Sequence, residues 1–545
     1  MKKYGKAILS SLLVLGLAAG AVGCGKSQKV DSVSDEKTIK VLYEGWVNGS
    51  VPTDYENNPY KKLIDETYDV DWQLSLSTDM NNEILKRFSS TSGEKPDVII
   101  FTDVNKLKSL YNQGFLVKDY TPYLDSMPNL TDYYKNNKGD IGNIYTDDGK
   151  LMCLMYPNDS TDWNYRIRED WVSEWNAATG TSGNPKTTDE LLMMARWVKE
   201  TKGSDHYLFT SAGENTDLGY FRYFLYMFTE YEDWYVNEKG EVTHPFLDGS
   251  HEKFLEFART VVSEKLIDPD WYTQSWGNHK NKLFSGKVGI DWYTPAIATE
   301  YAEGTTLEKK DGIWGNLEMP TSEAGTARQG ATYSRIGGYK IVINKNCSEE
   351  KIKKILSIFN DMMWQETEDV SSSLYYQLRW GIEIDNYTID ASDKENELEK
   401  ILDESGNETG YYAYYAMTNK DAHTKAQYGS LWDYGVPIQN LNDKVIEFGK
   451  LTKYTDAAYD YIKLINDTHT YYGKQTKPNY SDMIRSVDPK LVTNVEALIN
   501  EFEINYIQGK NTMTYDQFVE KWLASGAKQM QSSATQQLSE LGYAK

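Results

Sequence analysis

The pattern of hydrophobic and polar positions in the first part of the chain predicts strands and helices in alternation. Two stretches alternate with the period of two that is typical of strands, and three stretches repeat apolar residues at helical spacing. Val98–Phe101 is a continuous apolar run, as in a strand that is buried on both faces of a parallel sheet. The predicted strands cover residues 38–43, 70–76 and 98–101, and the predicted helices cover residues 59–67, 80–88 and 104–113. This βαβαβα order predicts a doubly wound α/β sheet, whose ligands lie at the carboxyl ends of its strands.

A second α/β unit is predicted from about residue 150. Thr187 and Glu190 predict a capping box at the start of a helix, and apolar residues repeat at helical spacing over 254–266. Strands are predicted within 284–292 and 337–343. Ser348 predicts the N-cap of another helix. Beyond about residue 365 the pattern predicts mainly helices.

Composition and charge narrow the classes of function. Hydrophobic residues make up 40% of the 545 residues and aromatic residues 13%, which excludes a disordered or low-complexity chain. The 58 basic and 81 acidic residues give a net charge of −23. Such a surface repels phosphate polymers and anionic lipid headgroups, and we find no basic stripe. We therefore expect no nucleic-acid partner, and neutral or cationic ligands are favoured.

The N-terminus predicts export and lipidation. The basic segment Met1–Lys6 precedes the apolar run Ala7–Ala19, as in a secretory signal peptide. That run is shorter than the roughly 20 residues that a membrane span needs. It ends at Ala-Val-Gly-Cys, which resembles the lipobox of bacterial lipoproteins, in which the cysteine is diacylated. We expect a signal peptide over 1–23, palmitate-type acylation of Cys24, a tether over 24–37 and an anchor at the extracellular face of the cell membrane.

Other motifs predict no cofactor. Gly20–Ser27 fits the phosphate-loop pattern G-x-x-x-x-G-K-S, but it lacks the strand before it and the helix after it that cradle a phosphate. We expect Cys153 and Cys347 to be buried thiols, and whether they are bonded stays open. The six histidines are scattered, and there is no C-x-x-C or H-E-x-x-H, so we expect no zinc site. Calcium binding is left open, although no EF-hand loop is present.

Several short stretches, in order over about residues 35–390, share one family resemblance. They lie at 95–100, 113–117, 121–124, 149–151, 165–171, 185–190, 266–270, 284–287 and 380–383. They resemble extracellular solute-binding proteins of family 1, the capture subunits of sugar ABC importers, and among these the large lipoprotein type of Gram-positive bacteria.

The resemblance implies a two-lobed α/β fold of the periplasmic-binding-protein type (type II-like), with doubly wound sheets and a helical C-terminal elaboration. The lobes are expected to be joined by crossings near residues 150–157, 328–338 and 430–437. The first lobe would hold 38–150 and 338–430, and the second lobe 151–337 and 431–545. Ligand is expected in the cleft between them.

The resemblance also nominates residues of that cleft. Sugar rings stack on aromatic side chains, and their hydroxyls bind polar side chains. Phe101 and Asp103 fall where the family contacts sugar from the first lobe, and Trp292 falls where maltose-type members stack a ring from the second. Further candidates follow the first crossing or lie near the expected cleft mouths: Asp159, Asp162, Trp163, Trp46, Trp276, Tyr333, Arg335 and Trp380. For the tryptophans the alternative is a core position, and for Asp103 and Asp159 it is a helix N-cap or a turn.

The function implied by the resemblance is capture without catalysis. We expect a monomer that binds a carbohydrate, an oligosaccharide in particular, and delivers it to the permease subunits of an ABC transporter. One alternative is a peptide-binding or sensor-coupled lipoprotein of the same fold, because fold does not fix the ligand. The other is a secreted glycoside hydrolase, which needs two carboxylates about 5–9 Å apart, and no local signature nominates such a pair.

Overall fold

The fold is described from a computed structural model. It covers residues 36–44, 56, 59–77, 79–89, 95–156, 163–294, 297, 314–322, 338–363, 373–380, 382–383, 388–390, 400–402, 427–428, 464, 479–485 and 489–545. The predicted signal peptide and Cys24 lie outside the described residues.

Helices and strands alternate from β1 to α3, and later elements come in groups of helices and groups of strands. The strands are β1 Thr38–Glu44, β2 Asp71–Ser77, β3 Val98–Phe101, β4 Asn164–Arg168, β5 Tyr235–Val236, β6 Val242–Thr243, β7 Ile290–Tyr293, β8 Trp314–Asn316, β9 Lys340–Ile343, β10 Ile382–Glu383, β11 Thr388–Asp390, β12 Lys400–Leu402 and β13 Gln427–Tyr428. The α-helices are α1 Pro59–Tyr68, α2 Met80–Ser89, α3 Val104–Gln113, α4 Pro128–Asn136, α5 Glu169–Thr179, α6 Thr188–Thr201, α7 Pro245–Asp248, α8 Ser250–Ser263, α9 Trp276–Phe284, α10 Glu349–Asp361, α11 Leu374–Trp380, α12 Tyr480–Met483, α13 Pro489–Ile507, α14 Tyr515–Trp522 and α15 Lys528–Glu540. Within the described residues, 3₁₀ helices cover Thr121–Ser126, Gly142–Ile144 and Gly219–Met227, and a π-helical turn covers Leu523–Ala527.

The first sheet confirms the predicted βαβαβα order. Its strand order is β2-β1-β3-β9, and β1 pairs in parallel with both β2 and β3. All four residues of β3 are buried, as the continuous apolar run predicts. The outer strand β9 arrives from far along the chain and pairs with β3 antiparallel.

The described strands of the second sheet run differently from a doubly wound pattern. Their order is β7-β4-β8, and β4 is antiparallel to both neighbours. Parallel pairing is present beside them as isolated bridges, from Tyr207 to Val288 and from Phe209 to Ile267. The connections between β4, β7 and β8 are long enough to allow parallel or antiparallel pairing. The order of helices and strands in the sequence therefore does not determine the direction in which these strands pair.

Two large apolar cores and one small apolar cluster around Tyr293 hold the buried hydrophobic residues of the described part of the chain. The first core contains buried residues from 39–156 and 341–378, and the second contains residues from 165–319 and 480–538. Residues 328–337 and 430–437, where two crossings are predicted, lie outside the described residues. The exact boundaries of the two lobes stay predictions.

A segment near the C-terminus connects the two cores. The Asn143 side-chain amide donates a hydrogen bond to the Ser481 carbonyl at 3.3 Å. The Arg485 guanidinium donates to the Asp147 carbonyl at 3.2 Å. Gly142 packs directly against the Met483 backbone carbonyl, where no side chain fits. The second core is therefore in contact with the 3₁₀ turn of the first.

The N-caps of two helices largely match those that the sequence predicts. The Thr187 hydroxyl accepts from the Glu190 N–H at 3.1 Å, as predicted, but the Glu190 carboxylate accepts from the Lys186 N–H instead of the Thr187 N–H. Ser348 caps α10 as predicted, by accepting from the Lys351 N–H at 3.1 Å. These caps fix where two helices begin.

Cys153 and Cys347 are both free thiols, the first fully buried and the second partly buried. Burial raises the pKa of Cys153 to about 12. Among the described residues, no helix combines the length and the apolar character that a membrane crossing requires.

Candidate functional site

Four aromatic side chains lie where the second core meets the small apolar cluster, and we call them the aromatic platform: Trp163, Tyr220, Trp276 and Tyr293. The rings of Trp163 and Tyr220 are parallel, with centroids 5.8 Å apart and an interplanar angle of 10°. Trp276 stacks on Tyr293 at 5.5 Å and 15°, and it meets Tyr220 edge-on at 5.4 Å. Trp163, Tyr220 and Trp276 are partly exposed, so the cluster offers ring surface to a ligand.

Strand pairing explains why two members of the aromatic platform meet. Because β4 and β7 are antiparallel, the start of β4 lies beside the end of β7, with Asn164 opposite Tyr293. Trp163 directly precedes β4, and its ring centroid lies 5.7 Å from that of Tyr293. Trp276 is the first residue of α9, where the Ser275 side chain caps the helix.

The 3₁₀ helix Gly219–Met227 supplies Tyr220 and its neighbour Tyr223. Residues three apart lie on one face of a 3₁₀ helix, so both tyrosines point the same way. Gly219 has a positive φ of 53°, and a Cβ there would lie 2.6 Å from the Ala212 carbonyl oxygen. Only glycine allows this close entry to the helix.

A buried polar pair lies directly under the aromatic platform. The His279 imidazole stacks against the Trp276 indole at 5.2 Å and 24°. Its Nε2 is 3.0 Å from the Asp291 carboxylate, and its Nδ1 is 3.4 Å from the Thr210 hydroxyl. His279 and Asp291 have exposed fractions of 0% and 1%. The hydrogen bond to Asp291 therefore fixes the orientation of the His279 ring, against which the Trp276 indole stacks.

A cavity of ≈ 380 Å³ opens beside the aromatic platform. Its volume is within the range of small-molecule sites in proteins. Aromatic rings form part of its wall and charged side chains another part. The lining residues are Ala212, Glu214, Asp217, Gly219, Tyr220, Arg222, Tyr223 and Trp276.

Arg222, the basic residue in the cavity wall, is held in place by hydrogen bonds to helix α13. Its guanidinium donates to the Glu503 carboxylate at 2.8 Å and to the Asn500 side chain at 2.9 Å, both on α13. Glu503 is buried, and it also lies 2.8 Å from His251 Nε2. The Glu503 charge raises the pKa of Arg222 further, so the guanidinium stays charged.

The same helix brings this wall close to the first core. Glu496 on α13 has a raised pKa, first because of burial and next because of the charge of Asp103, while Arg222 opposes the shift. Helix α13 also contacts α3, which begins after Asp103. The cavity wall therefore lies near the carboxyl edge of the first sheet, where ligands of α/β sheets bind.

Among the described residues, the structure brings two of the predicted site residues together. Trp163 and Trp276 belong to the aromatic platform. Trp292 is only 4% exposed; it stacks on Tyr223 at 4.3 Å and meets Tyr165 edge-on.

In the first lobe, Phe101 is fully buried in β3, and Asp103 is exposed. The Asp103 carboxylate caps α3 by accepting from the Asn105 N–H at 2.7 Å and the Lys106 N–H at 3.3 Å. Five predicted residues lie outside the described residues, namely Trp46, Asp159, Asp162, Tyr333 and Arg335. Trp380 lies in α11, and its side chain is outside the described part. Ligand contact of all these residues stays a prediction.

Sequence reasoning missed Tyr220, Tyr223 and Arg222, which line the cavity, and Tyr293. Three tyrosines at 220, 223 and 226 repeat with a period of three, which is the signal of a 3₁₀ helix. The signal for Tyr293 is its position next to Trp292, because neighbouring strand residues face opposite sides of a sheet. Within the described residues, no group of three His, Cys, Asp or Glu side chains could share a metal ion.

Comparisons with known proteins identify the fold. No family model and no curated protein sequence matches the chain. Solved structures do match. The ABC-transporter substrate-binding protein FusA of S. pneumoniae, in complex with kestose, is 16% identical with a TM-score of 0.60, over 91% of this chain and 98% of FusA. The alginate-binding protein AlgQ2 is 17% identical with a TM-score of 0.61, over 92% of this chain and 98% of AlgQ2. An HMO-binding, ABC-transporter-associated solute-binding protein of Bifidobacterium longum infantis is 14% identical with a TM-score of 0.60, over 92% of this chain and 98% of that protein.

Proposed function

We propose that the protein captures a carbohydrate at the aromatic platform and delivers it to an ABC importer, without changing the ligand chemically. The chain has the mixed α/β fold of ABC-transporter solute-binding proteins, which by itself leaves the ligand open. The observation that carries the proposal is the aromatic platform beside a cavity with polar walls. The complex of FusA with kestose and the alginate-binding name of AlgQ2 support carbohydrate as the ligand.

The chemistry of the site fits this class of ligand. The C–H faces of a pyranose ring pack against the partly exposed rings of Trp163, Tyr220 and Trp276. The Glu214 and Asp217 carboxylates accept hydrogen bonds from sugar hydroxyls, and the Arg222 guanidinium donates to them. The site therefore combines apolar ring surface with a few polar groups, as carbohydrate capture requires.

The first lobe completes the site in this proposal. Asp103 lies on the edge that faces α13, so closure of the lobes would bring it to the ligand. Trp292 packs behind Tyr223 and fixes that ring. A ligand that touches both lobes stabilises the closed form, and the closed form is the one that the permease recognises.

We also propose that the protein is anchored to the extracellular face of the cell membrane through lipidated Cys24, and that it acts as a monomer. The basic, apolar and small-residue order before Cys24 supports the anchor. Cells grown with labelled palmitate should incorporate label into the wild-type protein, and the Cys24→Ser variant should lose it. Label retained by the variant would refute this anchor.

Isothermal titration with a panel of oligosaccharides tests the capture site. We expect Trp276→Ala to weaken binding at least tenfold, because one lost stacking contact plus its buried area is worth about 1.4 kcal/mol or more. Trp197→Ala, at a partly buried tryptophan of the same lobe outside the platform, is the matched control and should keep its affinity.

The same titrations separate the alternatives. Equal affinities of the Trp276 variant and the wild type would reject the platform as the binding surface. Binding of peptides with no response to carbohydrate would reject the sugar as ligand. Release of shortened oligosaccharides over many turnovers would show an enzyme.

A further inference from the structure

The charges around the cavity have mostly one sign. Among the residues that line it, Glu214 and Asp217 are acidic and Arg222 is basic. The positive charge of Arg222 is already matched by buried Glu503, whose carboxylate lies 2.8 Å away. The two acidic residues therefore dominate the charge that a ligand meets in the cavity.

Acidic and basic groups both lie behind the cavity wall. Asp291 is buried under the platform beside His279, and the buried Arg166 of β4 lies opposite it in the strand pairing. Burial first, and then Asp291, Glu214 and Asp217, raises the pKa of Tyr220. Burial and Glu232 raise the pKa of Tyr223 to about 12, although Arg222 acts in the opposite direction.

Two further charged groups lie near the site. Glu496 on α13 is a further acid there, and burial raises its pKa although Arg222 acts in the opposite direction. Lys280 is the nearby cation on α9, with its Nζ 5.9 Å from the centroid of the Trp276 ring, and it is not among the residues that line the cavity. The field at the ring hydroxyls therefore favours neutral and positive groups.

The two lining carboxylates are held by local bonds. One Glu214 oxygen accepts from the Trp276 N–H at 3.1 Å, and one Asp217 oxygen accepts from the Gly219 N–H at 2.6 Å. Each acid thus anchors backbone that presents the platform, and it cannot swing away from an anionic ligand without giving up that bond.

On the basis of the proposed function, we infer that Glu214 and Asp217 make this site select against carbohydrates with carboxylate or phosphate groups, so that it takes uncharged and amino sugars. A ligand carboxylate within about 6 Å of either acid would be repelled by an amount worth about tenfold or more in affinity at the partly screened dielectric of a cavity. An amino group at the same place would be attracted.

Amide variants isolate this effect from the fold. In E214Q and D217N the side-chain oxygen can still accept from the Trp276 and Gly219 N–H groups, and only the charge is removed. The matched control is the double variant E200Q/E238Q, which removes two exposed acids of the same lobe and changes the net charge equally.

The experiment is a titration of the full-length, detergent-solubilised protein against matched oligosaccharides. The pairs are galacto-oligosaccharides with oligogalacturonates, and N-acetylglucosamine oligomers with glucosamine oligomers, each at low and high salt. We expect wild-type protein to bind the galacto-oligosaccharides at least tenfold more tightly than the oligogalacturonates, and to bind both the N-acetylglucosamine and the glucosamine oligomers. We expect E214Q/D217N to reduce the discrimination against oligogalacturonate at least tenfold. High salt should narrow the wild-type discrimination because it screens charge.

The outcomes separate this inference from the proposed function. Equal affinity of the wild type for an oligogalacturonate and its neutral counterpart would overturn the selectivity and leave carbohydrate capture standing. The same loss of discrimination in E200Q/E238Q would overturn the assignment to Glu214 and Asp217. Failure of every carbohydrate to bind would overturn the proposed function itself.

Discussion

Glu503 links the stability of the second lobe to the shape of the candidate site. Its buried carboxylate accepts from Arg222 in the cavity wall and lies 2.8 Å from His251 on α8. Glu503→Gln keeps the side-chain volume and removes only the charge. Breaking a buried ion pair costs roughly 3–5 kcal/mol. Because the Arg222 side chain is 37% exposed and its charge is partly screened, we expect a loss of about 2–3 kcal/mol in the free energy of unfolding.

The effect of this substitution depends on pH in a defined direction. Burial acts to raise the pKa of Glu503, but Arg222 and His251 outweigh burial and lower it below the ordinary value of 4.5. The ion pair therefore stabilises the fold fully above about pH 4.5, and this stabilisation is lost as the pH falls further. Burial lowers the pKa of His251 below 6.5 although Glu503 acts to raise it, so acid also favours the unfolded chain through this group.

Guanidinium denaturation followed by circular dichroism measures both effects. The difference between wild type and Glu503→Gln should be full at pH 7 and should shrink below pH 4.5. The control is Glu501→Gln, at an exposed acid two residues earlier on α13. We also expect weaker ligand binding by Glu503→Gln, because Arg222 loses its support. Identical midpoints for the two variants at pH 7 would refute the reasoning.

Three further predictions follow from described contacts. Gly142→Ala would place a methyl group against the Met483 carbonyl, so we expect a loss of about 1–3 kcal/mol by denaturation, whereas Gly139→Ala should be tolerated. Cys153 should resist thiol reagents in the native protein at pH 8, because it is fully buried and has a pKa of about 12, and should react after denaturation, as mapped by mass spectrometry. Asp103→Ala should lower the stability by about 1 kcal/mol through loss of the α3 cap, while Asp103→Asn should keep the cap; equal melting temperatures for the two variants would contradict this role.

Much of the first lobe could be predicted from local signals. The helix α3 ends where Gly114 adopts a left-handed conformation, with φ of 75°, and β3 is the buried strand that its apolar run predicts. The direction of β4 relative to β7 could not be predicted, because direction depends on a long connection and not on the residues of either strand.

The candidate site was harder to predict because it depends on register. Trp292 and Tyr293 are neighbours in β7, yet Tyr293 faces Trp163 while Trp292 faces Tyr165 and Tyr223. The register of β7 decides which of these two adjacent aromatic residues lies on the face of the sheet that carries the site. Composition does not reveal that register. Tyr220 was missed for a related reason, since its segment is a 3₁₀ helix and repeats with a different period from the α-helix.

The position of β9 in the first sheet has a consequence for biosynthesis. One edge of β3 is covered by β9, which the ribosome makes only after the strands and helices of the second core up to β8. During that interval the emerging chain carries an open strand edge, which is a template for pairing with other polypeptides. Pairing between distant parts of a chain is also slow. The first sheet can therefore be completed only after residue 343 has been synthesised, and until then the β3 edge stays open to other partners.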